Sequence, residues 1–172
     1  MGQKNAMDSI MTDYRKSIWN PFTKGIREFD MIEAGDRIAV CISGGKDSML
    51  LAKCVQKYQQ ISGVPFSVIF LCMDPGYNPE NRAKILDNAR RLGIELDIFE
   101  TRIFQSLARE NNNPCFLCAR LRRGALYSAA LERGCNKIAL GHHFDDVIET
   151  ILMGMLYGCH LQTMMPRLKI EN

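Results

Sequence analysis

Three short polar runs hold the residues most able to do chemistry: Ser43-Gly44-Gly45-Lys46-Asp47-Ser48, the pair Cys115 and Cys118, and Gly141-His142-His143-Phe144-Asp145-Asp146. In the first, a Ser-Gly-Gly turn can bend sharply and bring bare backbone N–H groups close to an anion. Lys46 supplies a point charge, while Ser48 and the first turn of a following helix add donors and a positive helix end. The spacing is not that of a Walker loop, which needs G-x-x-x-x-G-K-[ST]. Two plainer readings compete. Such a turn is often only a connector, and Ser43-x-x-Lys46 also matches the nucleophile pair of β-lactamases, although no Lys-Thr-Gly follows it. Placement between a strand and a helix favours phosphate binding.

Cys115 and Cys118 stand at i and i+3, on one helical face, and Arg122 lies four residues beyond Cys118, where its charge should favour thiolates. The pair reads equally as half a metal site, a redox pair or two packed thiols. Zinc would want four ligands, and no second C-x-x-C exists. Cys41, Cys54, Cys72 and Cys135 fall in or beside expected core elements and read as packing residues. In the third run, Asp145 and Glu149 share a helical face, and adjacent carboxylates at a phosphate site suit Mg²⁺. For Asp145, helix capping competes on even terms. Asp146, a tentative magnesium ligand, and His142 lean towards function. The consecutive His142 and His143 would point apart and make a poor zinc pair.

The elements that must position these runs follow from periodicity. Short β-rich stretches occur at Arg37 to Ile42, Phe66 to Cys72, Ile94 to Phe99 and Lys137 to Leu140. Helical patterns run from Asp47 to Ile61, Pro79 to Leu92, about Cys115 to Arg133, and Asp145 to Tyr157, with a polar loop at Asn111-Asn112-Asn113-Pro114. Residues 7 to 30 suggest an amphipathic helix interrupted near Pro21 and a second short helix reaching Phe29. Strands alternating with helices predict an α/β domain with a mostly parallel sheet. In such sheets ligands bind beyond the carboxyl ends of the strands. Ser43 to Ser48, Asp74 to Asn78 and Gly141 to Asp146 all follow strands, so they should line one edge. Asp74 is also placed to serve merely as a turn residue in Asp74-Pro75-Gly76.

Composition narrows the class. The 172 residues are 47% apolar and 24% charged, which suits one globular domain and not a disordered chain. The net charge of +3 is too weak to argue for nucleic acid, although Arg120, Arg122 and Arg123 cluster within four residues. These arginines could hold phosphates or form a solvated helix face. No apolar run approaches the roughly 20 residues that span a bilayer, and the first 13 residues do not resemble a signal peptide. A cytoplasmic location, with reduced cysteines, is the expectation.

The run S-G-G-x-D-S after the first strand resembles the signature of the ATP-pyrophosphatase, or PP-loop, enzymes. The strings PCFLCARLRRGALYSAA and GCNKIALGHHFDDVIETILMGMLYG closely resemble the tRNA 2-thiocytidine synthetases of that superfamily. The resemblance runs from about Asp30 to Pro166 and is most specific over residues 114 to 158. It implies a parallel sheet with helices on both faces, the adenine nucleotide alpha hydrolase-like fold. It divides the chain into an N-terminal helical segment, residues 1–30, and a PP-loop domain, residues 31–172, expected to lack its C-terminal part because Leu161 to Asn172 opens an apolar segment without a closing element.

The activity it implies is ATP-dependent tRNA thiolation: the 2-carbonyl oxygen of an anticodon-loop cytidine is adenylated and replaced by sulfur. Ser43, Gly44, Gly45, Lys46, Asp47 and Ser48 are then the ATP phosphate site, Gly141 and His142 nucleotide contacts, and Asp74 a residue at the adenosine end. Lys46, Asp47, Cys115 and Cys118 are the implied catalytic residues. ATP, Mg²⁺ and a [4Fe–4S] cluster on Cys115 and Cys118 are the implied cofactors, the family's third cluster cysteine having no counterpart here; Cys159 comes too early to be promoted. Implied partners are tRNA and a sulfur donor such as a cysteine desulfurase, with a homodimer allowed and no membrane. A tRNA lysidine synthetase-like ligase and a non-catalytic ATP-binding module are the alternatives.

Overall fold

The structure, a computed structural model, describes residues 5–103 and 114–168, apart from the side chains of residues 114 and 115. Four strands form one wholly parallel sheet in the order β3-β2-β1-β4: β1 is Arg37–Cys41, β2 Ser67–Asp74, β3 Leu96–Glu100 and β4 Lys137–Ala139. Register fixes Arg37 opposite Ser67, Phe70 opposite Leu96, and Ile38 opposite Lys137. The predicted strands are recovered with small shifts; β2 runs two residues longer, to Asp74.

β1 is buried along all but its first residue, with a strand on each side and helices on both faces. Ile38, Val40 and Ile42 point to one face, where Met49, Ala52 and Val55 of α3 (Lys46–Ile61) and Ala89 of α4 (Pro79–Arg91) cover them. Ala39, with Leu71, points to the other face and meets Ala129 and Ala130 of α5 (Pro114–Glu132). Val40 and Leu71 are fully buried, each contributing about 1.5–3 kcal/mol of transfer free energy. Cys41, Cys54, Cys72 and Cys135 are buried as expected. Burial pushes the Cys41 thiol up to about 12 and those of Cys54 and Cys72 to about 11, so these thiols pack as neutral groups.

The N-terminal segment differs in detail from expectation. α1 (Ala6–Met11) ends well before Pro21, a π-helical turn follows at Arg15–Trp19, and α2 is Asn20–Glu28. Residues 15–28 are helical without a break, and Pro21 sits just past the point where the hydrogen bonding changes from π to α, so the helix passes through the proline instead of stopping at it. Ile10 and Trp19 pack on Cys54 of α3, with Phe22 and Tyr58 at the margin. α6 (Phe144–Tyr157) follows β4. The expected polar loop at Asn111 to Asn113 lies outside the described residues. No helix among the described residues is long and apolar enough to cross a membrane.

β2 and β3 lie on one side of β1 while β4 lies on the other. The chain therefore changes direction between β1 and β4, and the carboxyl ends of those two strands flank the crevice where open α/β sheets bind ligands.

Candidate functional site

The run after β1 is shaped by its own hydroxyls. Buried Ser48 donates its Oγ–H to the Gly45 carbonyl (2.9 Å), while its Oγ accepts from the Ser43 N–H and Ser43 Oγ–H at 3.2 Å each. Ser48 thus ties the loop back on itself and holds it open towards solvent. Gly44 has φ +86°, and a Cβ there would meet Ile85 Cγ1 at 2.6 Å, so only glycine fits under α4. Gly45 has ordinary backbone angles and room for a side chain. Its bareness leaves the approach to the α3 N-terminus clear, where the first N–H groups lack helical partners.

Lys46 Nζ reaches Asp47 at 2.8 and 2.9 Å, on the exposed side of this turn. The Asp47 contact raises the Lys46 ammonium pKa, and Asp146 and Asp145 act in the same direction from α6. Asp47 is lowered chiefly by its bond with Lys46, with His143 adding to the effect. The first turns of α3 and α6 therefore face one another across the crevice.

Gly141 is what lets them. A Cβ on it would lie 2.9 Å from the Ser48 backbone nitrogen and 3.1 Å from the Asp47 carbonyl carbon, so the loop after β4 lies directly on the backbone of the first turn of α3. His142 is exposed at the same place. Asp146 caps α6: its Oδ2 accepts from the His143 N–H at 2.6 Å and lies 3.2 Å from the His143 ring. The carboxylate engaged in capping is thus that of Asp146, the third residue of the helix, while Asp145 lies in the same first turn, where the helix dipole favours a carboxylate.

Asp74 ends β2, at the carboxyl edge of the sheet. It is buried, and its Oδ1 accepts from the Gly76 and Tyr77 N–H groups at 2.9 and 2.7 Å, while Oδ2 lies 3.4 Å from Arg82. Its carboxylate is taken up by the turn, as the turn-residue reading expects. Its neighbour Met73 faces the crevice instead.

These pieces enclose a cavity of about 160 Å³ lined on its polar side by Ser43, Ser48, His142 and Arg122, and on its apolar side by Met73, Leu126 and Leu140. It is smaller than the roughly 300 Å³ of a complete small-molecule pocket and has room for only part of a nucleotide-sized ligand. A larger cleft of about 520 Å³ beside α4 and β3 has mainly apolar walls and a carboxylate, Asp87, already paired with Arg90 and Arg91.

α5 brings in Arg122. Sequence reading treated Arg120, Arg122 and Arg123 alike, yet Arg120 and Arg123 are exposed while Arg122 lies on the sheet-facing stripe that includes Cys118, Leu126, Ala129 and Ala130. An arginine in a stripe of otherwise small and apolar residues was the signal available. Cys118 is half-buried one turn before it; the Cys115 side chain lies outside the described residues. Among the described residues no three His, Cys, Asp or Glu side chains gather for a metal ion. Neither the cluster nor a protein-built Mg²⁺ site is therefore formed by the described side chains alone. Mg²⁺ commonly takes most of its ligands from phosphates and water, for which Asp145 and Asp146 are near enough to act on Lys46.

Comparison with known proteins bears on this arrangement. A family model described as the PP-loop domain matches residues 15–169. The tRNA-cytidine(32) 2-sulfurtransferase of Pectobacterium atrosepticum is 42% identical over 155 residues, covering 87% of this chain and 49% of that protein. Its counterpart in Anaeromyxobacter dehalogenans is 38% identical over 152 residues, covering 87% of this chain and 52% of the other. The chain thus spans about half the length of the curated relatives it matches. Among solved structures, the U34-tRNA thiolase NcsA from Methanococcus maripaludis with its [4Fe–4S] cluster superposes with a TM-score of 0.67 at 24% identity, covering 83% of this chain and 52% of that one. That likeness is one of fold.

Proposed function

Since this chain belongs to the PP-loop domain family, we propose that it binds ATP at the carboxyl edge of its sheet and uses it in the thiolation of a tRNA cytidine. The observation that carries this reading is the cavity at the switch point, where Ser43 and Ser48 after β1, Gly141 and His142 after β4, and Arg122 of the cysteine helix converge. The activity named for the relatives, at 38–42% identity, supports the choice of substrate.

In this reaction the cytidine 2-oxygen attacks the α-phosphorus of ATP. A new P–O bond forms, the bond to the β-phosphate bridge breaks, and pyrophosphate leaves. A sulfur nucleophile at the sulfide level then adds to C2, and AMP departs with the former carbonyl oxygen. The chain's residues act through charge and position. Gly44 and Gly45 bring backbone donors and the α3 N-terminus to the phosphates, and Ser48 keeps that loop rigid. Lys46 exchanges its bond with Asp47 for one with a phosphate oxygen, offsetting charge that grows on the leaving group. Mg²⁺ held by the phosphates, with Asp145 or Asp146 behind it, would share that work. Cys118, with Cys115 at the start of the same helix, would supply this chain's ligands for an iron–sulfur cluster, which would hold the sulfur nucleophile. A sulfur donor such as a cysteine desulfurase and a cytoplasmic setting complete the proposal.

The test is pyrophosphate release from ATP with and without tRNA, with sulfide supplied, followed by nucleoside analysis of the tRNA. The expected product is 2-thiocytidine. A lysine adduct instead would favour a lysidine-type ligase, and ATP binding with no turnover would leave a non-catalytic module.

A further inference from the structure

α5 divides its three arginines between two faces. Arg122 turns to the cavity, one turn beyond half-buried Cys118, while Arg120 and Arg123 are exposed. Phe116, Arg120 and Arg123 stand at i, i+4 and i+7, so they form one stripe along the outer side of the helix. Gly124 borders the stripe, with nothing within 4 Å of where a Cβ would stand, so the helix backbone is bare there. α5 leads from the carboxyl edge of the sheet to the amino end of β4. Its first turns therefore lie at the edge where the cavity opens.

Two features set this stripe apart from an ordinary solvated helix face. The first is unbalanced charge. Arg82, Arg90, Arg91, Arg133 and Arg167 each meet a carboxylate. Among the described residues Arg120 and Arg123 meet none, and α5 carries no acidic residue before Glu132, its last. A face that serves only solubility mixes the two signs. The second feature is a phenyl ring left in water: Phe116 is 68% exposed, one turn before Arg120. A ring beside two free guanidinium groups offers a stacking face and two phosphate partners together.

An unpaired RNA loop matches that combination. A duplex hides the faces of its bases, whereas a loop turns them out while its phosphates stay in a row. The proposed chemistry asks for the same state of the substrate. C2 of a cytidine is reached only when the base leaves its stack, and its neighbours then need another surface to stack on. We propose that Phe116, Arg120 and Arg123 seat the unpaired loop of the RNA substrate, the ring stacking on a base and the arginines holding phosphates. Cys118 and Arg122 lie on the opposite side of the same helix. α5 is then the wall between the RNA and the nucleotide. The inference deepens the proposed function and rests on it for the choice of RNA.

The test is RNA binding by the 172-residue chain, followed by fluorescence anisotropy across a salt series, with ATP affinity measured by calorimetry on the same proteins. The probes are an RNA stem-loop with a cytidine in its loop and a loop-free duplex of the same stem. The parent should prefer the stem-loop. Arg120→Gln and Arg123→Gln should each weaken it by about threefold to tenfold and reduce the salt slope by about 0.7 per lost phosphate contact. Phe116→Ala should weaken it about tenfold at an unchanged slope, because stacking releases no counterions, and Phe116→Trp should restore it. Arg15→Gln, which removes an exposed arginine elsewhere, should change neither affinity nor slope. ATP affinity should stay at the parent value in every variant. Parent-like RNA affinity and slope in the arginine variants would overturn the proposal. So would equal binding of stem-loop and duplex, no RNA binding by the parent, or an ATP affinity that falls with RNA affinity. Failure to bind ATP while the stripe still holds RNA would overturn the functional reading instead and leave this surface standing.

Discussion

Lys137, at the amino end of β4, is 21% exposed and binds Glu33 and Asp36 at 2.7 Å each, whereas Lys46, just past the carboxyl end of β1, is 82% exposed and rests on the adjacent Asp47 at 2.8 Å. The first pair of contacts joins segments 104 and 101 residues apart, and Asn136 adds a 2.8 Å bond to the same Asp36. Arg167 extends the cluster by reaching the Asp30 carbonyl at 2.6 Å. Such a network cannot open without parting the β1 and β4 ends. The Lys46–Asp47 pair is local and solvated, so it can be traded for a ligand at little cost. Charge at the amino edge serves the fold, and charge at the carboxyl edge stays exchangeable.

Lys46→Ala should separate the two edges most sharply. ATP-dependent turnover is expected to fall by about 100-fold or more, with the melting temperature unchanged, because the lost charge acts only on the phosphates. Thermal unfolding beside a pyrophosphate assay checks both halves; intact turnover would remove the phosphate loop from the mechanism.

Lys137→Ala should do the reverse. It strands the buried Asp36, which is 5% exposed, at a cost of about 3 kcal/mol, or a fall in melting temperature of roughly 6–12 °C. ATP affinity of whatever remains folded should match the parent. A melting temperature within a degree or two of the parent would show that the amino-edge network adds nothing to stability.

Gly141→Ala crosses the comparison. Its Cβ must displace the Ser48 and Asp47 backbone, so both stability, by about 1–3 kcal/mol, and ATP affinity should drop together. Loss of one without the other, seen by calorimetry and denaturant titration, would mean the two loops adjust independently.

A smaller effect concerns pH. Burial raises the Asp36 carboxyl, but the Lys137 bond, the Glu33 N–H and Asn136 outweigh it and hold it below the usual carboxylate range. Glu33 is lowered chiefly by Lys137. Carboxyls with lowered folded values stabilise the protein above their unfolded values, near 4, and lose that contribution as pH falls through the folded ones. Denaturant midpoints should therefore decline between about pH 5 and pH 3, and less steeply in Asp36→Asn. Equal slopes would place the acid sensitivity elsewhere.

The smallest shift is expected at Asp146. Exchanging its charged oxygen for a neutral one in Asp146→Asn should raise the Mg²⁺ needed for turnover by a few-fold, while the His143 cap, which needs only an acceptor, is kept. An unmoved magnesium titration would leave Asp146 as a cap alone.

The residues by themselves determined the strands, the helices between them, and the polar loops that had to follow β1 and β4. Those follow from local rules: apolar periodicity, glycine at Gly44 and Gly93, and proline at helix starts such as Pro79. The same rules expected an interruption near Pro21, where the helix changes from π to α bonding and continues, because in sequence a proline looks alike whether a helix stops at it or absorbs it. Folding decided which of several similar residues meets the site. Arg122 and not its neighbours turns to the cavity, the Asp74 carboxylate is taken up by its own turn, and Gly141 is needed because the Ser48 backbone lies against it. Each of these depends on how helix and strand pack. Gly141 and Ser48 are 93 residues apart, and no local pattern encodes the distance between such a pair.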